Sequence, residues 1–347
     1  MRITQVLTGS TGGIGRHVAS VVGRLAAAGH EVVVYAPEET ARAHGLTARP
    51  LRELGRSRRA DVVHAHGLKA GALAVGAELG GPPVVVSWHN EPPRGSGASA
   101  RLGRLLQRMT ARRARVLLGA SSDLVAVARQ LGAPDARLGP VAAPELDLTH
   151  ADPAAFRARC GLDGPIVLTV GRLAPQKNLG LVVDVADRLA RDDVGFVVVG
   201  EGPERPALER RIAAGRGRVL LAGALPTAVD AYAAADVVLL TSTWEARALV
   251  AQEALLAGVP LVSTEVGGIV ELVGSAARLV PTGDVAAAAA AVGGLLDDPT
   301  AAAALAAAGR ERAATWPDED DVATELAALY AAITVGRNAP ARGAGSS

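Results

Sequence analysis

The chain has 347 residues, of which 49% are hydrophobic and only 2% aromatic, and it carries a net charge of +1 and one cysteine. That length suits two domains, and the composition excludes a disordered or collagen-like polymer. The near-zero charge and scarcity of rings exclude a polyanion-steering field and a stacking platform for nucleic acid. A lone Cys160 excludes a disulfide within the chain.

Short apolar runs alternate with Ala-rich amphipathic stretches. In the first half, strands are expected over residues 3–8, 31–35, 61–64, 84–88 and 115–119. The first run starts without a charged leader and long apolar core, so no signal peptide is read there. In the second half, strands are expected over 166–170, 195–199, 219–221, 237–240, 261–263 and 278–280. Continuous β-branched runs suit parallel strands buried on both faces. The repeated strand–helix alternation predicts an α/β protein of two Rossmann-like, doubly wound domains facing across a cleft. Pro140, Pro144, Pro153 and Pro165 mark the break between halves, with a short helix near 154–160. The expected boundaries are 1–147 for the first domain, 148–164 for a linker and 165–316 for the second domain. A C-terminal helix over 317–335 is expected to pack back on the first domain, followed by a disordered tail over 336–347.

Thr8-Gly9-Ser10-Thr11-Gly12-Gly13-Ile14-Gly15 follows the first strand and opens a helix. Alone, it matches the glycine turn of short-chain dehydrogenases, which brings a pyrophosphate to a helix N-terminus. Those enzymes need a lysine four residues after a tyrosine. Tyr35, Tyr232 and Tyr330 are followed at that spacing by Glu39, Asp236 and Thr334, which disfavours that chemistry. A tight turn without a ligand is the plainer alternative.

The second half is more specific. Gly171-Arg172-Leu173-Ala174-Pro175-Gln176-Lys177-Asn178 places two cations in a loop at a strand's carboxyl end, where an anion would lie. Residues 241–260 then run from strand through loop to a helix starting near Ala248, stopped by Gly258 and Pro260. Glu245 stands before that helix and Glu253 more than a turn inside it. Their separation is roughly 12 Å at helical rise, comparable to the span from a sugar across a diphosphate to a ribose. Carboxylates accept hydrogen bonds from vicinal hydroxyls. Gly267-Gly268 with Glu271 offers another backbone approach to phosphate.

With these motifs, together with Gly29-His30-Glu31-Val32, Asp61-Val62-Val63-His64-Ala65-His66 and Gly200-Glu201-Gly202-Pro203, nearly the whole chain resembles glycosyltransferase family 4. These are retaining enzymes of GT-B fold. The resemblance implies an enzyme that moves a sugar from a nucleotide-diphosphate sugar to a hydroxyl acceptor: a glycan, a glycolipid or a small molecule. It implies that Arg172 and Lys177 hold the diphosphate, Glu245 lies near the donor sugar and Glu253 binds the ribose. Gly12 and Gly13 approach the diphosphate from the first domain, Ala248 and Leu249 present the helix start, and the loop at Leu225 meets the base. His89 resembles the family's first-domain histidine near the donor sugar and acceptor; His17 and His66 are weaker candidates. The nucleotide sugar is a substrate, and neither a cofactor nor a metal is expected.

Two departures stand out. Arg247-Ala248 replaces a common Phe-Gly between the glutamates, and Ala143-Pro144-Glu145-Leu146-Asp147 replaces an Asn-Gly before the linker. They keep two alternatives open, a nucleotide-sugar epimerase of the same fold and a non-catalytic nucleotide-sugar-binding relative. Asp318-Glu319-Asp320-Asp321 has acidic spacing reminiscent of metal-dependent transferases, but at a helix start it reads as dipole complement. Arg101, Arg104, Arg108, Arg112 and Arg115 recur at helical spacing opposite Leu102, Leu105, Leu106 and Met109. One reading is a solvated face with the leucines in the core. The other is peripheral contact with an anionic membrane or a lipid-linked acceptor at the inner face of the membrane, by an otherwise cytoplasmic protein.

Overall fold

A computed structural model describes residues 1–10, 12–77, 80–90, 95–139, 141–142 and 146–334. The expected tail over 336–347 lies outside them. The chain divides into two compact units, Met1–Pro144 with Pro317–Ser347, and Glu145–Trp316.

Among the described residues, the first unit holds a seven-stranded sheet, ordered β3-β2-β1-β4-β5-β6-β7. Its strands are β1 (Arg2–Leu7), β2 (Glu31–Tyr35), β3 (Ala48–Arg49), β4 (Val62–His66), β5 (Val84–Trp88), β6 (Val116–Gly119) and β7 (Ala136–Leu138). The second unit's sheet is ordered β10-β9-β8-β11-β12-β13. Here the strands are β8 (Ile166–Val170), β9 (Gly195–Val199), β10 (Val219–Gly223), β11 (Val237–Leu240), β12 (Leu261–Thr264) and β13 (Arg278–Val280). Every pairing is parallel. The strands Val-Val-His-Ala-His, Val-Val-Val-Ser-Trp and Gly-Phe-Val-Val-Val are buried along their whole length, because helices cover both faces.

In each sheet the strand order reverses once. In the first unit this happens between β1 and β4, and in the second between β8 and β11. The loops leaving those strands therefore diverge to opposite faces and open a crevice at their carboxyl ends. Gly12 and His66 flank the first crevice, and Lys177 and Glu245 the second.

Two edge strands were not legible in sequence. Ala48–Arg49 and Ala136–Leu138 are too short to show a period and carry exposed arginines, as edges commonly do. The helix after the Lys177 loop spans Gly180–Leu189, bounded by left-handed residues at Asn178 and Ala190. The final helix, Glu319–Thr334, packs in the first unit against the helix Gly13–Ala27, burying Val322, Leu326 and Tyr330 beside Val21 and Leu25. Its acidic start is structural. Asp318 and Asp321 cap each other's backbone N–H groups, while Glu319 and Asp320 pair with Arg24 at 2.7 Å. The arginine-bearing helix, Ala98–Arg113, corrects one expectation. It buries Gln107, Thr110 and Ala111, while Leu102 and Leu105 are 56% and 63% exposed. Thr110 is small enough to seat against Gly71 on the neighbouring helix Leu68–Ala77, and that contact sets the face, overriding the leucine stripe.

Candidate functional site

In the second unit, two loops are stitched at the switch point. The loop after β8 carries Arg172, a 3-10 turn at Pro175–Lys177, and Asn178 in the left-handed conformation. The loop after β11 runs from Thr241 to Ala248. Thr243 N–H donates to the Gln176 carbonyl (2.8 Å), the Gln176 amide to the Trp244 carbonyl (2.7 Å), and Thr241 Oγ1 to the Lys177 carbonyl (2.8 Å). Within this lattice Lys177 Nζ donates to Glu245 Oε1 at 2.6 Å, and Ser242 Oγ donates to the same oxygen at 2.7 Å. The two side chains are only 20% and 10% exposed. A pair so far out of water is held by geometry, since desolvation offsets much of the Coulomb attraction.

Backbone packing fixes the rest. Gly267, at φ +50°, lies so close to Glu245 that an added Cβ would fall 2.0 Å from the Glu245 carbonyl oxygen, and Gly268 N–H donates to that oxygen (2.9 Å). Likewise a Cβ on Gly200 would meet the Gly171 carbonyl oxygen at 1.9 Å. These glycines let the loops touch backbone to backbone.

Glu253, on the helix Leu249–Ala257, is buried and accepts from Tyr232 Oη at 2.8 Å. Nothing local in the sequence links Tyr232 to a glutamate 21 residues on. Ala248 is the N-cap of this helix and provides no side-chain cap, so the first N–H groups, including that of Leu249, are left for an anion. Arg172 is exposed and makes no ion pair among the described residues. Leu225, after β10, packs partly buried against the second unit's core. Arg247 does not simply face solvent. Burial lowers its pKa, with the Glu271 carboxylate nearby opposing that shift.

The first unit gathers four histidines. Gly12 caps the helix Gly13–Ala27, and a Cβ there would meet nothing within 4 Å, so the turn is open to a ligand. His17 lies on that helix, His64 and His66 on β4, and His89 just after β5. The His66 ring centroid lies 4.1 Å from that of His64, 5.8 Å from His89 and 6.2 Å from His17; His17 and His89 are 5.9 Å apart.

The Tyr330 hydroxyl, wholly buried, accepts from the Gln5 amide (3.3 Å) and donates to His64 Nδ1 (2.6 Å). His64 Nε2 then carries the proton and donates to Ser87 Oγ (2.8 Å). Gln5 Oε1 accepts from His66 Nε2 (2.8 Å), which leaves His66 Nδ1 as a bare lone pair. His66 Nδ1 and His89 Nε2 are enclosed and have no hydrogen-bond partner among the described residues. Burial lowers all four pKa values, to about 4 for His17 and about 3 for His89, and repulsion from neighbouring imidazoles adds to it for His64, His66 and His89. The cluster is therefore neutral at physiological pH. The sequence pointed to His89, His17 and His66, but not to Gln5, Ser87 or Tyr330. Among the described residues no group of three His, Cys, Asp or Glu side chains could hold a metal ion.

Two tandem families match the chain: Glycosyl transferase 4-like domain over residues 12–143, and Glycosyl transferases group 1 over residues 164–298. A D-inositol 3-phosphate glycosyltransferase of Frankia alni is 31% identical over 326 residues, spanning 76% of this chain and 80% of that protein. A 2-deoxystreptamine N-acetyl-D-glucosaminyltransferase of Streptomyces fradiae is 32% identical, spanning 69% and 62%. An alpha-D-kanosaminyltransferase of Streptomyces kanamyceticus is 36% identical, but spans only 38% of this chain and 37% of its own length. Among solved structures, Anabaena HepE in complex with UDP shares the fold with a TM-score of 0.83 at 19% identity, covering 96% of this chain and 100% of that one. Sucrose-phosphate synthase from Thermosynechococcus elongatus gives 0.77 at 22% identity, covering 96% and 100%.

The fold is that of a GT-B glycosyltransferase. The chain belongs to the family 4 sugar transferases, whose donor is a nucleotide-diphosphate sugar.

The histidines predict an acid sensitivity of the fold. Below pH 6.5 the unfolded chain protonates them while folded His17 and His89 stay neutral down to about pH 4 and 3. The stability they contribute is unaffected above pH 6.5 and falls as pH drops, by about 1.4 kcal/mol per pH unit for each. Urea melts at pH 7.0 and 5.0 should therefore differ by up to about 4 kcal/mol from this pair alone. His17→Asn should remove roughly half of that difference; an unchanged pH dependence in that variant would refute the assignment.

Proposed function

We propose that this chain transfers a sugar from a nucleotide-diphosphate sugar to a hydroxyl acceptor with retention at the anomeric carbon. The observation that carries this reading is the stitched pair of loops at the second unit's switch point. It offers Lys177, the unpaired Arg172 and the uncapped helix start at Ala248 and Leu249 as cationic and N–H donors.

Departure of a nucleoside diphosphate leaves negative charge on the β-phosphate, and fixed donors aimed at that charge lower the barrier. Arg172 forks phosphate oxygens and Lys177 supplies a point charge. Glu245 holds Lys177 in place and faces the donor sugar. Glu253, oriented by Tyr232, accepts from the ribose hydroxyls. Leu225 lies against the base, and Gly12 and Gly13 bring open backbone to the diphosphate. His89, held neutral, hydrogen-bonds a sugar or acceptor hydroxyl without adding charge. Two relatives are named for D-inositol 3-phosphate and 2-deoxystreptamine, both small cyclitols, so such rings are the first acceptors to try.

UDP-, GDP- and ADP-sugars with cyclitol acceptors, followed by proton NMR, test this reading. Transfer should appear with the donor's anomeric configuration. Lys177→Ala should lower kcat/KM about a hundredfold or more, while Glu253→Ala raises donor KM about tenfold with kcat little changed. Epimerised donor without transfer would establish the epimerase alternative, and binding without turnover the non-catalytic one. No stabilisation by any nucleotide sugar would defeat the proposal.

A second part of the reading concerns location. Among the described residues no helix is long and apolar enough to cross a membrane. Exposed Leu102 and Leu105 beside exposed Arg101, Arg104 and Arg108 form a basic, apolar face suited to an anionic bilayer at the cytoplasmic side. Each arginine near such a surface contributes about 1 kcal/mol. Sedimentation with phosphatidylglycerol vesicles should be strong at low salt, weak at high salt, and lost in Leu102→Glu/Leu105→Glu. No sedimentation at low salt would end this part of the proposal.

A further inference from the structure

The first unit carries a polar cavity on one face of β1 and β2. Register places Arg2 beside Glu31, Thr4 beside Val33 and Val6 beside Tyr35, so the even-numbered residues of β1 share a face with Glu31, Val33 and Tyr35. In a doubly wound sheet a full helix would cover such a face. Here the covering segment is a narrow 3-10 stretch, Leu51–Arg59, that buries only Leu54 and Ser57. Such a segment is too thin and too polar to fill the space. A cavity of ≈ 540 Å³ remains between it and the strands, within the size range of small-molecule pockets.

The lining is one-sided in charge. Arg2, Arg49, Arg56, Arg58 and Arg59 contribute to it, against Glu31 alone. Arg2 is spent on Glu31 (2.9 Å) and Arg56 on Glu53, while Arg58 reaches the Ala77 carbonyl (3.4 Å). Arg49 and Arg59 are exposed, and their guanidinium groups have no acidic partner among the described residues. On the floor, Thr4 and Tyr35 are 2% and 1% exposed. Neither hydroxyl hydrogen-bonds a described protein group, and neither is sealed off, so the cavity is their outlet. Unpaired guanidinium groups above free hydroxyls match an oxyanion with several oxygens: the guanidiniums fork them and the hydroxyls donate from below.

We infer that this cavity binds a small solute carrying at least two phosphate charges, with Arg49 and Arg59 as its principal contacts and Tyr35 donating a hydrogen bond. The ligand lies on the face of the sheet under the 3-10 segment, whereas His66 and His89 sit at the carboxyl ends of β4 and β5. The site is therefore additional to the transferase machinery and independent of the reading given for it.

The chain's three tyrosines, Tyr35, Tyr232 and Tyr330, make a direct test in the full protein. With ring carbon-13 labelled tyrosine, inorganic pyrophosphate at low salt should shift the Tyr35 resonance saturably, with Tyr35→Phe giving the assignment. Any donor-site binding would register separately at Tyr232. Arg49→Gln/Arg59→Gln should raise the concentration needed to move Tyr35 about tenfold or more and leave the Tyr232 titration in place. Arg210→Gln/Arg216→Gln, which removes exposed charge elsewhere, should change neither. A Tyr35 resonance that does not move overturns the inference. So does a shift that survives Arg49→Gln/Arg59→Gln, or one lost equally with the control pair.

Discussion

The 2.6 Å contact between Lys177 and Glu245 is the constraint on which the donor side depends. It joins the loops of β8 and β11, neighbours in space at the point where the sheet order reverses. A lysine loose in a loop is a mobile, hydrated charge. Clamped by Glu245, with its backbone tied to Thr241 and its loop to Thr243, it becomes a fixed one. Fixed charge is what stabilises a leaving diphosphate without reorganisation. The pair also explains the glycines around it. Gly267 must let Glu245 approach backbone to backbone, and Gly200 must do the same for Gly171.

The two units solve opposite electrostatic problems with the same topology. The second concentrates Lys177, Arg172 and the free N–H groups of a helix start at the carboxyl ends of its central strands. The first collects four imidazoles and, chiefly by burial, keeps all of them uncharged. Hydrogen bonds through Tyr330, Gln5 and Ser87 fix the tautomers of His64 and His66, so that His66 offers a lone pair and no proton at Nδ1. Neutral imidazoles suit hydroxyl recognition, because each offers one lone pair and one N–H without a net charge. The final helix is thereby part of the first unit's chemistry, since its Tyr330 closes that network.

Central strands were legible because Val-rich runs such as Val84–Trp88 have no other way to be buried. The edge strands Ala48–Arg49 and Ala136–Leu138 were not, since two or three residues carry no period. Motif residues were legible one by one, but their pairing was not. Lys177 meets Glu245 across 68 residues, and Gln5 meets Tyr330 across 325. Local pattern cannot encode contacts made by strand order. The leucines of the helix Ala98–Arg113 show the converse: their periodicity suggested a core face, yet small Thr110 and Ala111 sit there instead. Close helix–helix approach favoured small side chains over apolar ones.

The affinity of nucleoside diphosphates for the wild type, Lys177→Ala and Glu245→Gln, measured by calorimetry with UDP, GDP and ADP, tests the central claim most directly. If Glu245 holds Lys177 for the diphosphate, one of the three nucleotides binds the wild type, and Lys177→Ala loses most of that affinity. Glu245→Gln, which loosens the hold on the lysine, binds more weakly than the wild type but more tightly than Lys177→Ala. Equal affinity in all three proteins, or no binding to the wild type, would contradict the account.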